Sequence, residues 1–185
     1  MRQQSRETRQ QIFEACSRIL QNDGLANLTL ETVADKAGLS KGGLLYHFPN
    51  KETLIEALFE YHNNIFETRL QELAEAEGNE AGSWLRAYAK ASVEQISNPD
   101  NVSLYASLFA AEERYANAHQ LMRQKYVNWQ RQVDQCNLDP TLATLVRLAV
   151  DGLWFSEVHR YASPDLERRE KILQLIMNMT HGSAP

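Results

Sequence analysis

The chain reads as a succession of apolar stripes at helical spacing. Ile12, Phe13, Cys16, Ile19 and Leu20 recur at intervals of three and four, which predicts a first amphipathic helix over 5–21. Asn22-Asp23-Gly24 closes it, with Gly24 expected in the left-handed conformation that ends helices. Thr29 is placed to cap a second helix with its hydroxyl. That helix turns Leu30, Val33, Ala34 and Ala37 inward and stops at Gly38. Ser40 caps a short third helix ending at His47. After Pro49, Asn50 caps a much longer helix over 51–77, which runs into the loop Gly78-Asn79-Glu80-Ala81-Gly82.

Beyond that loop, 83–97 reads as a helix burying Trp84, Tyr88, Ala91 and Ile96, stopped by Asn98-Pro99. Further helices are predicted over 102–113 and 116–136, the latter with Met122, Tyr126, Trp129, Val133 and Cys136 spaced 4, 3, 4 and 3 apart. Asp139-Pro140 opens a helix over 141–161, a cap followed by the proline that suits a first turn. Ser163-Pro164 repeats the signal for a last helix through Met179, carrying Leu166, Ile172, Leu173, Ile176 and Met179. The tail from His181 to Pro185 is expected to fray.

No stretch alternates apolar and polar residues as a half-buried strand does. The eight glycines and five prolines are too few for a fold built on tight turns. The fold class is therefore all-α, about nine helices: a three-helix module over 1–50, and a helical bundle over 51–185. The helix over 51–77 has no hinge-like break, so it is expected to join the two parts rigidly.

Composition narrows the class. No apolar stretch follows the opening MRQQSRETRQQ, so no signal peptide is expected. No run approaches a membrane span, and a cytoplasmic protein is expected. Cys16 and Cys136 stand isolated, without metal-ligand spacing, and read as reduced, partly buried thiols. The net charge of −5 is unevenly shared. Residues 1–51 hold seven basic side chains against five acidic ones, a balance of +2, which leaves −7 for the remainder. A mildly basic head on an acidic body suits DNA contact at one end.

The informative stretch is Thr29–Lys51, TLETVADKAGLSKGGLLYHFPNK. Two short helices meet across Ala37-Gly38-Leu39-Ser40, where Gly38 permits a sharp turn and Ala34, Ala37 and Leu39 let the helices cross closely. That is helix-turn-helix logic, with the second helix entering the major groove. Ser40, Lys41, Gly42 and Gly43 open the second helix, where backbone amides favour a phosphate. Two glycines in a helix cost roughly 1 kcal/mol each relative to alanine, a cost tolerated where the backbone must come close to something. Tyr46, His47 and Lys51 bring a phenol, an imidazole and an ammonium to the other end of the unit, all able to reach phosphate oxygens.

This segment resembles the DNA-binding module of TetR-family regulators. Thr29, Val33-Ala34, Ala37-Gly38-Leu39-Ser40-Lys41-Gly42, Tyr46-His47-Phe48 and Lys51 match the family pattern in order and spacing, and Arg9, Ile12, Ala15 and Gly24 fit upstream. The strong match covers 6–58. The resemblance implies that Lys41, Gly42 and Gly43 face bases, while Thr29, Ser40, Tyr46, His47 and Lys51 hold phosphates. One position departs: many members have a tyrosine where this chain has Leu45, which cannot hydrogen-bond phosphate. Gly43 puts no side chain into the groove, so base reading falls to Lys41 and apolar contacts, with a larger share left to DNA shape.

The body resembles the family in architecture. Its candidate pocket residues are Trp84, Tyr88, Phe109, Met122, Tyr126, Trp129, Phe155 and His159, with Trp154 as a further aromatic. Plain core packing accounts for most such aromatics, and His119 and His159 lack metal-ligand spacing. In Ala149-Val-Asp-Gly-Leu-Trp-Phe155, Gly152 allows close helix approach, and a similar Asp-Gly-Leu-Trp occurs in the penultimate helix of some members. In such proteins the last two helices pair with their mates as a four-helix bundle. Here that implies an interface of Leu145, Leu153, Trp154, Leu173 and Ile176.

The expected function is a dimeric repressor on a palindromic double-stranded DNA operator, released by an unknown small-molecule effector, without cofactor or metal. A protein of the same fold acting in chromosome organisation or cell division is the alternative. A helical enzyme is disfavoured, since no Ser/His/Asp, paired-carboxylate or metal constellation accompanies the aromatics.

Overall fold

The structure, a computed structural model, describes residues 2–181; the tail 182–185, expected to fray, lies outside the described residues. Among the described residues the chain forms nine α-helices and one 3-10 turn, with no strand. The helices are α1 (Arg2–Asn22), α2 (Leu30–Ala37), α3 (Lys41–His47), α4 (Lys51–Glu77) and α5 (Ser83–Ile96). They continue as α6 (Pro99–Arg114), α7 (Ala116–Asp134), α8 (Pro140–His159) and α9 (Leu166–Thr180). No helix among the described residues is long and apolar enough to cross a membrane.

Several boundaries differ from expectation, each for a local reason. Helix α1 starts at Arg2 rather than residue 5. Gly24 takes φ 74°, ψ 175° instead of the left-handed helical conformation, because the chain turns at once into the 3-10 turn Leu25–Asn27. The amides of Asp23 and Gly24 both donate to the Ile19 carbonyl, at 2.7 and 3.0 Å, and so close α1. Pro99 does not stop the chain but opens α6, three residues early, with Asn98 Oδ1 accepting from the Asp100 amide at 3.0 Å. Helix α9 is capped by Asp165, whose carboxylate accepts from the Arg168 amide at 2.8 Å. Ser163, read as that cap, instead donates to the Ser156 carbonyl at 3.0 Å.

The residues sort into two compact units, 1–64 with 103–121, and 65–102 with 122–185. In the first, Ile12, Cys16, Leu20, Leu28, Val33, Leu44, Phe48, Leu54 and Leu58 form the core beneath α1–α3. Burial pushes the Cys16 thiol up to about 12, so it stays protonated and packs as a small apolar group.

In the second unit α5 packs on α8 and α9. Leu85, Tyr88 and Ala91 of α5 meet Ala143, Val146 and Val150 of α8 and Ile176 of α9, together with Phe66 and Trp129. Arg86 leaves this face for the helix ends. It is 1% exposed and donates to Glu77 Oε2 at 2.6 Å and to the carbonyls of Ala81 and Thr180 at 2.8 and 2.7 Å.

Candidate nucleic-acid interface

The head is built from short helices whose ends are closed by their own side chains. Thr29 accepts from the Thr32 amide at 3.1 Å, while Thr32 Oγ1 accepts from the Thr29 amide at 3.0 Å, a reciprocal box that fixes the start of α2. Gly38, at φ 68° and ψ 30°, is left-handed, and the Leu39 amide returns to the Ala34 carbonyl at 2.9 Å. Ser40 Oγ accepts from the Gly43 amide at 3.1 Å and opens α3. The turn chemistry read from the sequence is therefore what sets the angle between α2 and α3.

Helix α3 buries Leu44 and exposes Lys41, Gly42, Leu45 and Tyr46, the last being 85% exposed. A phenol that exposed is open to a partner. His47 is half-buried and meets the Tyr46 ring edge-on at 5.2 Å. A Cβ added at Gly42 would meet nothing within 4 Å among the described residues, so their packing does not demand the glycine. At Gly43 the nearest atom is Ser40 Oγ, 3.3 Å away.

Asn50 Oδ1 accepts from the Thr53 amide at 2.9 Å and sets the start of α4, whose first residue is Lys51. Burial, and then the positive charge of Arg114 at the end of α6, hold the Lys51 ammonium below its ordinary range. No salt bridge to either cation occurs among the described residues. A phosphate there would offset the repulsion between the two cations.

Sequence reasoning passed over two features of this unit. Arg9 lies over the rings of Phe48 and Phe13, at 4.8 and 5.6 Å from their centroids. His62 is buried beside Ser17 and Tyr105. Arg9 fits the family pattern, but its place over the two rings, like the burial of His62, comes into view only in the fold.

Four of the expected pocket residues of the body come together in the second unit. Trp84, Tyr88, Tyr126 and Trp129 do meet, around Phe66, with ring centroids 5.0–5.9 Å apart. Tyr88 donates to Asp151 Oδ1 at 2.6 Å, and Arg147 pairs with the same carboxylate at 2.5 Å. Burial pushes both Tyr88 and Asp151 upward. Phe155 and His159 meet Tyr161 at the end of α8. Met122 is half-buried on α7, and Phe109 falls in the other compact unit. A polar cleft of about 300 Å³ opens between Asn79, Ser83, Trp84, Gln132, Gln135 and Cys136; of the expected pocket residues only Trp84 lines it.

The expected interface residues are also divided. Leu153 and Ile176 are 7 and 4% exposed and face the core of their own chain. Trp154 and Leu173 are half-buried, Trp154 donating to Gln95 Oε1 at 3.0 Å. Leu145 is 57% exposed and shares its face of α8 with Leu148, Gly152 and Phe155, while Leu175 stands out on α9. Among the described residues Gly152 has no neighbour within 4 Å of an added Cβ, so the close approach expected of it is not made there.

Comparison with known proteins covers both regions. Residues 12–58 match the family described as bacterial regulatory proteins, tetR family, and residues 82–181 match the tetracyclin repressor-like C-terminal domain. The HTH-type transcriptional regulator TtgR of Pseudomonas putida is 39% identical over 59 residues, 32% of this chain and 28% of the relative. The nucleoid occlusion factor SlmA of Marinomonas sp. is 29% identical over 79 residues, 43% of this chain and 40% of the relative. The chain thus matches well under half the length of these curated relatives. The multidrug binding protein EbrR, solved with ethidium, has the same fold: TM-score 0.71 at 22% identity, over 94% of this chain and 98% of that one.

Proposed function

Because the chain belongs to the TetR family of bacterial regulatory proteins, we propose that it is a transcriptional repressor that grips a palindromic operator as a dimer and lets go when a small molecule enters its body. Residues 1–50 are the DNA-binding domain in this reading, and 51–185 bind the effector and dimerise. The observation that carries it is α3, a capped helix that turns Lys41, Gly42 and Tyr46 away from its own core. A recognition helix needs that division. The effector part is supported by the aromatic group around Tyr88 and Asp151 and by the fold shared with EbrR, which was solved with ethidium. Coupling between effector and operator of this kind is typically about 1–3 kcal/mol and acts equally in both directions.

Sorting of contacts tests the DNA reading. Lys51→Ala is expected to weaken binding to all duplexes alike and to flatten the salt dependence, as loss of a phosphate contact does. Lys41→Ala is expected to change the preference among operator variants, by roughly 1–3 kcal/mol at one base pair. Competition titrations on operator and random duplexes read both. Equal effects of the two variants on both duplexes would remove the base-reading role of Lys41.

The dimer is formed, in this reading, through the exposed faces of α8 and α9. Leu145→Glu and Leu148→Glu are expected to give helical monomers in sedimentation, since both side chains stand out from the single chain. Leu153→Glu or Ile176→Glu would instead unfold it, by placing a carboxylate in the core. Two folded, dimeric surface variants would move the interface elsewhere.

A second reading rests on the similarity to SlmA: a protein of the same fold acting in chromosome organisation or cell division, with no metabolite effector. Binding sites spread across the genome, rather than beside one promoter, would favour it.

A further inference from the structure

We infer that Arg9, on α1, is a DNA-backbone contact held in readiness by its stack on Phe48; this rests on the head binding DNA. The guanidinium carbon lies 4.8 Å from the centroid of Phe48 and 5.6 Å from that of Phe13, and the two rings are 5.7 Å apart. Both rings belong to the core, so the arginine covers them from outside while its own residue stays exposed. Cation–π attraction to the ring faces pairs none of the five N–H donors with an acceptor oxygen.

Those donors have no carboxylate to meet. Among the described residues no salt bridge involves Arg9. The acidic residues of α1 are engaged with other side chains: Glu7 accepts from Gln3, and Glu14 from Gln10 while pairing with Arg18. Arg9 thus presents a full positive charge on a rigid platform.

The platform is well placed. Phe48 directly follows His47 and stands three residues before Lys51, the segment to which the family resemblance gives phosphate contacts. Its amide is tied to the Leu44 carbonyl at 2.9 Å, so the ring under Arg9 is fixed to α3. A guanidinium parked there loses less side-chain freedom on meeting a phosphate than a lysine on an open helix face, and its planar fork can donate two parallel bonds. The residue therefore adds to the α3–α4 contacts one that comes from α1.

A covering arginine that only packs would look the same in a stability assay, so the test reads charge. The full chain is titrated with a random-sequence duplex, and with an operator selected on the wild type, over a range of salt concentrations. Arg9→Met keeps an apolar cover on the rings and removes the charge. It is expected to lower the slope of log K against log salt by about 0.9, with several-fold weaker binding to both duplexes. Arg9→Lys is expected to keep the wild-type slope and lose part of the affinity, because it retains the charge without the planar stack. Thermal melts establish that each variant is folded at the titration temperature, and Arg9→Gln replaces any that is not. An Arg9→Met slope equal to wild type, while Lys51→Ala flattens it, overturns the role of Arg9 alone. A wild-type chain that binds neither duplex overturns the DNA reading and this contact with it.

Discussion

Arg86→Met is expected to cost the folded chain about 3–5 kcal/mol, the usual loss when one member of a buried ion pair is removed. The guanidinium is 1% exposed and joins three separate pieces of the second unit: Glu77 at the end of α4, the Ala81 carbonyl in the following loop, and the Thr180 carbonyl at the end of α9. Burial pushes the Glu77 carboxyl up, but the bonds from Lys90 and Arg86 outweigh it and hold the group below its ordinary value. Methionine would fill much of the space and leave Glu77 with Lys90 only, while the Ala81 and Thr180 carbonyls would each lose this donor. A buried polar group left without a partner costs about 1–3 kcal/mol.

Gly82 gives the same junction a second handle. Its amide donates to the Cys136 carbonyl at 2.8 Å, its φ is +75°, and a Cβ there would collide with the Thr180 carbonyl oxygen. Gly82→Ala must therefore displace the end of α9 as well as strain the turn. Urea unfolding of both variants, followed by circular dichroism, measures the cost. A loss below about 1 kcal/mol for Arg86→Met would mean that the three pieces are held by apolar packing alone.

Arg86 shows where the sequence stops being legible. Within 83–97 it looks like one more charged residue on a polar face, and nothing local reveals that the ends of α4 and α9 converge on it. Caps behave oppositely. Thr29, Ser40, Asn50 and Asp139 each open a helix, and Gly38 closes one, through a neighbour three or four residues away, so their role is written in the order of the residues. The head could be read for the same reason, its motif being a run of local turn and cap chemistry.

The body could not be read to the same depth. Helix α8 is apolar nearly all round, and periodicity alone does not say whether Leu153 or Leu148 faces the core. Aromatics at helical spacing give the same pattern whether they line a cavity or fill one, and here Phe109 and Trp129 fall in different units. Ser163-Pro164 and Asp165 are rival caps two residues apart; the choice is made by Ser163 turning back to the end of α8.

Acid is expected to weaken the first unit through His62. The imidazole is buried, and burial holds it down to about 4. The hydroxyl of Ser17 already donates to the Phe13 carbonyl at 2.8 Å, which leaves the imidazole Nε2–H to donate to Ser17 Oγ at 2.9 Å. The rings of Tyr61 and Tyr105 pack edge-on against it, and no carboxylate pairs with it among the described residues to stabilise the charged form. In the unfolded chain the same group takes up a proton near pH 6.5. Below that pH the unfolded state binds the extra proton and the folded state does not, so stability falls as pH drops, and levels off below about 4. The full effect is about 3 kcal/mol, of which about 2 kcal/mol is lost between pH 7 and pH 5. Asp151 and Glu112, raised by burial, oppose the trend, so the quantity to measure is the difference between the wild type and His62→Gln. Glutamine can still donate to Ser17 but does not titrate. Denaturant unfolding at a series of pH values should show the wild type losing stability toward pH 5 more steeply than the variant. Parallel curves for the two proteins would mean that His62 is protonated in the folded chain and that its pocket admits water.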